Sequence, residues 1–198
     1  TIGPRTVERG FLEGHMILGG MLVPSIGGGV CQVATTIFNA AFETGLPIKE
    51  RHNHSFYISH YPTGRDATVS WGGPDLVFRN DLDHAVLIKA GGDSSTFTVK
   101  FFGTPQGRKV TSSTSAPTNY TSPTLQYAVD PSAAPNSVRT VPGGGPGFDV
   151  NVHRVVREDG KVIREDDFFT RYTPQNPTAV YGPGRTPPGP YFTLPSSA

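Results

Sequence analysis

A glycine run leads directly into a helical pattern at Gly27-Gly28-Gly29-Val30-Cys31-Gln32-Val33-Ala34-Thr35-Thr36-Ile37-Phe38-Asn39-Ala40-Ala41-Phe42-Glu43-Thr44-Gly45. The pattern predicts a helix over about residues 31–44, which Gly45 ends in a left-handed conformation and Pro47 prevents from continuing. Apolar residues cover much of its surface, so we expect a largely buried central helix packed on the strands predicted around it.

Cys31, the single cysteine of the chain, lies in the first turn of this helix. Unpaired backbone N–H groups and the positive end of the helix dipole favour the thiolate, which is the nucleophilic form of cysteine. The preceding glycines let a ligand approach the backbone and could donate N–H groups to an oxyanion. The competing interpretation is a buried cysteine that only packs.

The composition limits the classes of function. The chain has 198 residues, with 17 Lys+Arg against 16 Asp+Glu, and this balance gives no case for nucleic acid or an anionic membrane as a partner. One cysteine excludes an internal disulfide and a multi-cysteine metal site. No apolar run approaches the length of a membrane-spanning helix. Thr1-Ile2-Gly3-Pro4 is not typical of a natural start, so we expect a fragment of a longer protein.

The predicted fold class is α+β, with a mostly β unit around one buried helix and a small all-β C-terminal module. Residues 15–23 read as a hairpin with a Gly19-Gly20 turn, and further strands are predicted near residues 56–58, 67–71, 76–78, 85–88 and 96–102. We divide the chain into a catalytic unit (1–105), a Ser/Thr/Pro-rich linker (106–118), a β module (119–185) and a Pro-rich tail (186–198). Few core contacts should cross the linker.

A second group of polar residues follows the helix at Arg51-His52-Asn53-His54-Ser55. In an extended segment His52 and His54 share one face, and either could act as the base or ion-pair partner of a thiolate. His-x-His is also a metal-ligand pattern, although no third ligand is evident. Asp66 could orient a histidine, and Arg51 or Arg65 could bind a substrate carboxylate; Arg65-Asp66 could equally be a structural turn pair. Trp71 is expected in the core.

Several motifs in order closely resemble the VanW domain family: Gly3-Pro4-Arg5-Thr6, Pro24-Ser25-Ile26-Gly27-Gly28-Gly29-Val30-Cys31-Gln32-Val33, Asn39-Ala40-Ala41, Glu50-Arg51-His52-Asn53-His54-Ser55, Gly64-Arg65-Asp66-Ala67 and Gly73-Pro74-Asp75-Leu76. The resemblance covers about residues 1–104. The module at 119–185 resembles a G5-type domain through Gly147, Gly160, Gly182 and its strand pattern.

The resemblance implies an extracytoplasmic bacterial protein of the cell wall, whose membrane contact is an N-terminal anchor outside this chain. It also implies an L,D-transpeptidase that forms 3-3 cross-links between peptidoglycan stem peptides, with Cys31 as nucleophile. We expect His54, or else His52, as the base, Asp66 to orient it, and no metal or cofactor. Substrate contacts are expected from Gly28, Gly29, Gln32, Arg51, Ser55 and Arg65.

Two alternatives stay open at this point. The chain could be a non-catalytic peptidoglycan-binding module with Cys31 packed under the glycine loop, or it could carry related thiol chemistry such as L,D-carboxypeptidase or amidase activity. Because transfer and hydrolysis differ only in whether an amine or water resolves the thioester, the sequence does not decide between them. It also leaves the oligomeric state open.

Overall fold

A computed structural model describes residues 3–93 and 95–195, which form a mostly β structure with one α-helix. This confirms the α+β class. The helix α1 is Val30–Glu43, preceded by a 3-10 turn at Val7–Arg9. The strands are β1 Glu13–Leu18, β2 Met21–Ile26, β3 Ile48–Glu50, β4 Val77–Phe78, β5 Leu87–Gly92, β6 Phe97–Phe102, β7 Arg108–Thr114, β8 Thr118–Thr121, β9 Gln126–Val129, β10 Val138–Val141, β11 Gly147–Glu158, β12 Lys161–Tyr172, β13 Thr178–Tyr181 and β14 Tyr191–Thr193.

Strands β1 and β2 form the hairpin predicted around the Gly19-Gly20 turn. Both glycines have positive φ, which suits a two-residue turn whose twist matches that of the strands. The hairpin packs through Met21 and Val23 against Ala128 and Val180 of a four-stranded sheet ordered β10-β13-β9-β14. The first strands of the chain therefore bury their apolar face against its last strands.

Helix α1 contacts β6 and also packs on a second sheet, ordered β12-β11-β7. Phe38 and Phe42 are fully buried, and both ring centroids lie within 6 Å of the Phe168 ring of β12. Val152 of β11 belongs to the same core. The N-terminal strands alone do not cover the helix, which differs from the packing that we expected.

The C-terminal end of α1 is held by arginines from the same sheet. Fully buried Arg154 donates to the carbonyls of Phe42 and Leu46, and Arg108 and Arg164 both donate to the carbonyl of Gly45. Cations near a helix C-terminus interact favourably with the helix dipole. Gly45 has φ of 71°, so the predicted left-handed end of the helix is confirmed.

Four expectations from the sequence are corrected: the linker, the tail, two strands and the position of Trp71. The expected linker 106–118 contains β7, which pairs with β11 along its length, and core contacts cross this segment. The expected tail 186–198 contains β14, which pairs with β9; residues 196–198 lie outside the described part. Residues 56–58 and 67–71 are not strands, and Trp71 is 63% exposed. The functional division at residues 1–105 and 119–185 stays a prediction.

The described residues contain no helix with the length and hydropathy of a membrane span.

Candidate active site

Cys31 is the second residue of α1, directly after the glycine loop. Gly29 is the N-cap of the helix, and its left-handed φ of 84° leads the chain into the first turn. The half-buried Cys31 Sγ lies 3.2 Å from Thr68 Oγ1 and 3.6 Å from the carbonyl oxygen of Val69. The thiol therefore sits at the positive end of the helix dipole, where the thiolate is stabilised.

One stripe of α1 holds the segment that faces Cys31. Thr35 Oγ1 accepts the N–H of Ala67 and donates to its carbonyl, and Asn39 Nδ2 donates to the carbonyl of Arg65. Residues four apart on a helix lie on one face, so Cys31, Thr35 and Asn39 contact successive residues of the same segment. These hydrogen bonds hold Asp66 and Thr68 in fixed positions relative to the Cys31 sulfur.

His54 reaches the thiol from a neighbouring segment that also contains His52. The N–H of Thr68 donates to the carbonyl of His52, and this hydrogen bond joins the His54 segment to the segment that faces α1. Its ring is buried and stacks on Tyr61 at a centroid distance of 5.4 Å. His54 Nδ1 lies 2.7 Å from Asp66 Oδ2, so Nε2 is the ring nitrogen left to interact with Cys31. The three side chains therefore form a Cys31–His54–Asp66 triad, the arrangement in which a base activates a nucleophile and is itself oriented.

Asp66 is 2% exposed, yet each of its carboxylate oxygens accepts two hydrogen bonds. Oδ2 accepts from the backbone N–H of His54 and faces Nδ1 of the same ring, while Oδ1 accepts from Tyr172 Oη at 2.6 Å and Arg51 Nη2 at 3.1 Å. Burial alone would raise the pKa of this carboxyl, but the hydrogen bonds from His54 and Tyr172 and the charge of Arg51 hold it below its usual range. Asp66 is thus a fixed anion beneath the histidine.

The electrostatics of the triad favour a thiolate–imidazolium pair. Burial opposes the charged form of Cys31, but the hydrogen bonds from His54 and Thr68 outweigh it and lower the pKa of the thiol to about 7. Burial likewise opposes the charged form of His54, but the bonds to Asp66 and Cys31 raise the pKa of the ring to about 9. Between these values the sulfur is negative and the ring positive, so the reactive thiolate form of Cys31 is populated near neutral pH.

The two arginines predicted to bind substrate are engaged elsewhere. The Arg51 side chain is 5% exposed, and its guanidinium donates to Asp66, to the carbonyl of Gly64 and to Thr170 Oγ1. Arg65 lies over the Phe42 ring and pairs with Asn39 and Glu43, toward the far end of α1. The guanidinium N–H groups of both arginines donate to acceptors within the protein, so we assign both residues a structural role.

His52 and Ser55 were also predicted to belong to the site. His52 does not share the environment of His54: its side chain is 52% exposed and pairs with Glu50, so the structure brings only His54 to the thiol. Ser55 is exposed, and its carbonyl accepts two bonds from Thr173. The described residues hold no group of three His, Cys, Asp or Glu side chains that could bind a metal ion.

The glycine loop borders a cleft of about 360 Å³. Phe11, Gly27, Gly28, Gly29, Val30 and Val33 line it. Gly28 backs onto the β1 backbone, where a Cβ would collide with His15, so its role is close packing. At Gly29 a Cβ would meet open space, and the Gln32 side chain is exposed while its N–H bonds to Gly29. Gly29 and Gln32 therefore stay candidates for substrate contact.

Sequence reasoning missed Tyr172 and Thr170, which support the triad from β12. They are two residues apart, so they lie on one face of the strand. That spacing was available in the sequence, but nothing local identified Asp66 and Arg51, more than 100 positions away, as their partners. Thr68 was also missed, although it follows the quoted Gly64-Arg65-Asp66-Ala67 motif.

Comparison with known proteins places this site in a family. A family model described as "VanW like protein" matches residues 1–102. Relatives include an uncharacterized protein, YoaR, of Bacillus subtilis (strain 168), 45% identical over 89 residues that make up 45% of this chain and 29% of the relative. Another is the vancomycin B-type resistance protein VanW of Enterococcus faecalis (strain ATCC 700802 / V583), 34% identical over 80 residues that make up 37% of this chain and 28% of the relative. The chain thus matches less than a third of each relative's length.

Two solved structures were also matched. One is an IgA1 protease G5 domain, with a TM-score of 0.21 and 12% identity, covering 39% of this chain and 94% of that structure. The other is HP0197-G5, with a TM-score of 0.17 and 21% identity, covering 38% and 97%. These scores carry no argument about the fold, so the G5-like character of residues 119–185 stays a prediction. The family model, in contrast, covers more than half of the chain, which therefore belongs to the VanW-like protein family.

Proposed function

We propose that this chain carries a cysteine acyltransferase site that acts on peptidoglycan stem peptides as an L,D-transpeptidase and forms 3-3 cross-links. The observation that carries the proposal is the Cys31–His54–Asp66 triad with a partly exposed Cys31. A relative named as a vancomycin resistance protein supports a place in cell-wall metabolism. We accordingly propose an extracytoplasmic protein of the bacterial wall or surface.

Acylation begins with the Cys31 thiolate. It attacks the carbonyl carbon between the diamino acid and the terminal D-alanine of a tetrapeptide stem, and a C–S bond forms. The electron pair of the C=O bond moves to oxygen, which becomes a tetrahedral oxyanion. The His54 imidazolium then gives its Nε2 proton to the nitrogen of D-alanine as the C–N bond breaks. D-alanine leaves, and the stem is held on Cys31 as a thioester.

Transfer reverses the same proton path. The side-chain amine of a second stem attacks the thioester carbonyl, and neutral His54 accepts the proton that this amine loses. The C–S bond breaks and the electron pair returns to the sulfur, so the thiolate–imidazolium pair is restored. If water attacks in place of the amine, the same steps give hydrolysis and an L,D-carboxypeptidase.

The start of α1 provides the electrostatic stabilisation of the oxyanion. The first N–H groups of a helix have no partner within the helix, and Cys31 is its second residue. The carbonyl that the sulfur attacks must lie beside these donors, and backbone N–H groups fixed at such a position typically contribute a hundredfold or more in rate. The cleft beside Gly29 offers apolar surface for the stem.

The experiment that tests this proposal is product analysis. The full chain is incubated with soluble disaccharide tetrapeptides isolated from a bacterial wall. The products are then separated and identified by mass spectrometry. The proposal predicts D-alanine release and a 3-3 linked dimer, both absent with Cys31→Ala. Tripeptide without dimer would indicate hydrolysis, and neither product from a folded protein would favour the binding module.

A further inference from the structure

We propose that strand β12 completes the active site, with Tyr172 and Thr170 as positioning residues that hold Asp66 under His54. The inference rests on the proposed thiol chemistry and deepens it. Both residues lie far beyond the segment 1–102 that the family model matches. The family-matched segment would then contain the reacting groups but not the whole of their support.

The Tyr172 hydroxyl makes two contacts at the triad. It donates to Asp66 Oδ1 at 2.6 Å and accepts the backbone N–H of Gly64 at 3.1 Å, and the side chain is almost completely buried. One hydroxyl thus fixes both the carboxylate and the turn that carries it. Without it, a buried acceptor and a buried donor would lose their partner, which is costly in a site closed to water.

Thr170 acts on the same carboxylate through Arg51. Its Oγ1 accepts from Arg51 Nη1 at 2.9 Å in a fully buried position. The other guanidinium nitrogens of Arg51 donate to the carbonyl and carboxylate of Asp66. Since the guanidinium is planar, fixing one nitrogen fixes the orientation of the others. Thr170 therefore sets the angle at which Arg51 meets Asp66.

A long, well-paired strand suits this role. Asp66 lies in a segment without helix or strand, whereas β12 is a twelve-residue strand paired with β11, in which Thr170 faces Val150 and Tyr172 faces Phe148. Functional groups held by regular elements are positioned more accurately than groups on loops alone. The site thus takes its reacting groups from α1 and the loops, and its rigidity from β12.

The charged and titratable groups that face the triad are few in the described residues. Arg51, His54 and Tyr172 surround Asp66, and Cys31, Asp66 and Tyr61 surround His54. A shift in the titration of Cys31 after a change at Tyr172 must therefore pass through Asp66 and His54.

The test is the pH dependence of Cys31 alkylation by iodoacetamide in the full chain, for wild type and Tyr172→Phe. Loss of the hydroxyl frees Asp66 Oδ1 to turn toward Arg51 and away from the histidine, so the imidazolium is less stabilised and the thiolate forms at higher pH. We expect the midpoint to rise by about one unit and the rate at pH 7 to fall about tenfold.

Tyr57→Phe is the matched control. The Tyr57 ring lies 5.5 Å from the rings of both Phe148 and Tyr172, so it belongs to the same aromatic cluster, but its hydroxyl bonds Thr63 and not Asp66. A merely structural role for the cluster predicts that both tyrosine variants lose stability and keep the wild-type alkylation profile. Positioning predicts a shifted profile for Tyr172→Phe alone.

Thr170→Val provides a second variant, because it removes the Arg51 acceptor while keeping the volume of the side chain. We expect a shift in the same direction of about threefold in rate at pH 7. A wild-type profile in folded Tyr172→Phe, or loss of the fold in both variants, would overturn the proposal. Alkylation needs no peptidoglycan, so a failure to cross-link stem peptides would count against the proposed function and leave this result unaffected.

Discussion

Asp66→Asn is the substitution that tests the electrostatics of the site most sharply. The amide keeps the shape of the side chain but removes the negative charge beneath His54. It also presents N–H groups where the carboxylate accepts four contacts, from His54, Tyr172 and Arg51. The His54 ring then loses the main group that keeps it protonated, while its burial continues to oppose the charge.

The size of the effect follows from the titration of the thiol. With a pKa of about 7, half of Cys31 is thiolate at pH 7. Without a charged His54 the thiol returns at least to the ordinary value of about 8.5, at which roughly 3% is thiolate, so the rate of alkylation should fall about fifteenfold or more. The buried Arg51 also loses its charged partner, so the free energy of unfolding should fall by about 3–5 kcal/mol.

The assay is iodoacetamide alkylation across pH 5–10, followed by intact mass, together with urea unfolding. Asp149→Asn is the matched control, because Asp149 is also a buried aspartate paired with an arginine, Arg171, but it lies outside the triad. We expect the control to keep the wild-type alkylation profile. An unshifted profile in folded Asp66→Asn would refute the triad as the cause of thiol activation.

Three further predictions concern the site and its support. His54→Ala should lower alkylation at pH 7 at least tenfold, whereas His52→Ala should leave it within twofold, because the His52 side chain is exposed and pairs with Glu50; the same assay compares them. Arg154→Met should lower the free energy of unfolding by about 3 kcal/mol in urea titration without changing alkylation, because Arg154 acts at Phe42, roughly 16 Å along α1 from Cys31. A chain ending at Pro105 should show no cooperative thermal unfolding by circular dichroism, because Phe38 and Phe42 lose their cover from β11 and β12; a cooperative transition would contradict the packing described above.

Local features of the fold could be predicted from the sequence. The helix after the glycine run, its end at Gly45 and the hairpin at Gly19-Gly20 all depend on neighbouring residues, and the structure confirms them. The Asp159-Gly160 turn between β11 and β12 depends on neighbouring residues in the same way. Turn chemistry and apolar periodicity operate over a few residues, which is the range that a single sequence reveals.

The long-range packing could not be predicted in this way. Residues 106–118 are rich in Ser, Thr and Pro, which favours a linker, yet β7 forms because β11 offers it a partner. Parallel pairing of β9 with β13 and β14 likewise depends on segments far apart in the chain. Tertiary context of this kind regularly overrides local propensity.

The site was predicted in part for related reasons. His54 and Asp66 were named with Cys31, but an extended segment would have placed His52 beside His54, and the backbone instead leaves His52 in solvent. Arg51 was expected to hold substrate, because an arginine near a nucleophile is typical of anion binding. Only the fold reveals that Thr170 and Asp66 already occupy its donors.

Trapping the acyl-enzyme tests catalysis by Cys31 directly. The full chain is mixed with a tetrapeptide stem whose diamino acid carries an acetylated side-chain amine, so that no acceptor amine can resolve the thioester. The reaction is quenched in acid, and the mass of the intact protein is measured by mass spectrometry. Catalysis by Cys31 predicts an adduct equal to the stem minus D-alanine, located on the peptide that contains Cys31, removed by hydroxylamine and absent in Cys31→Ala. An adduct on another residue, or D-alanine release that persists in Cys31→Ala, would contradict it.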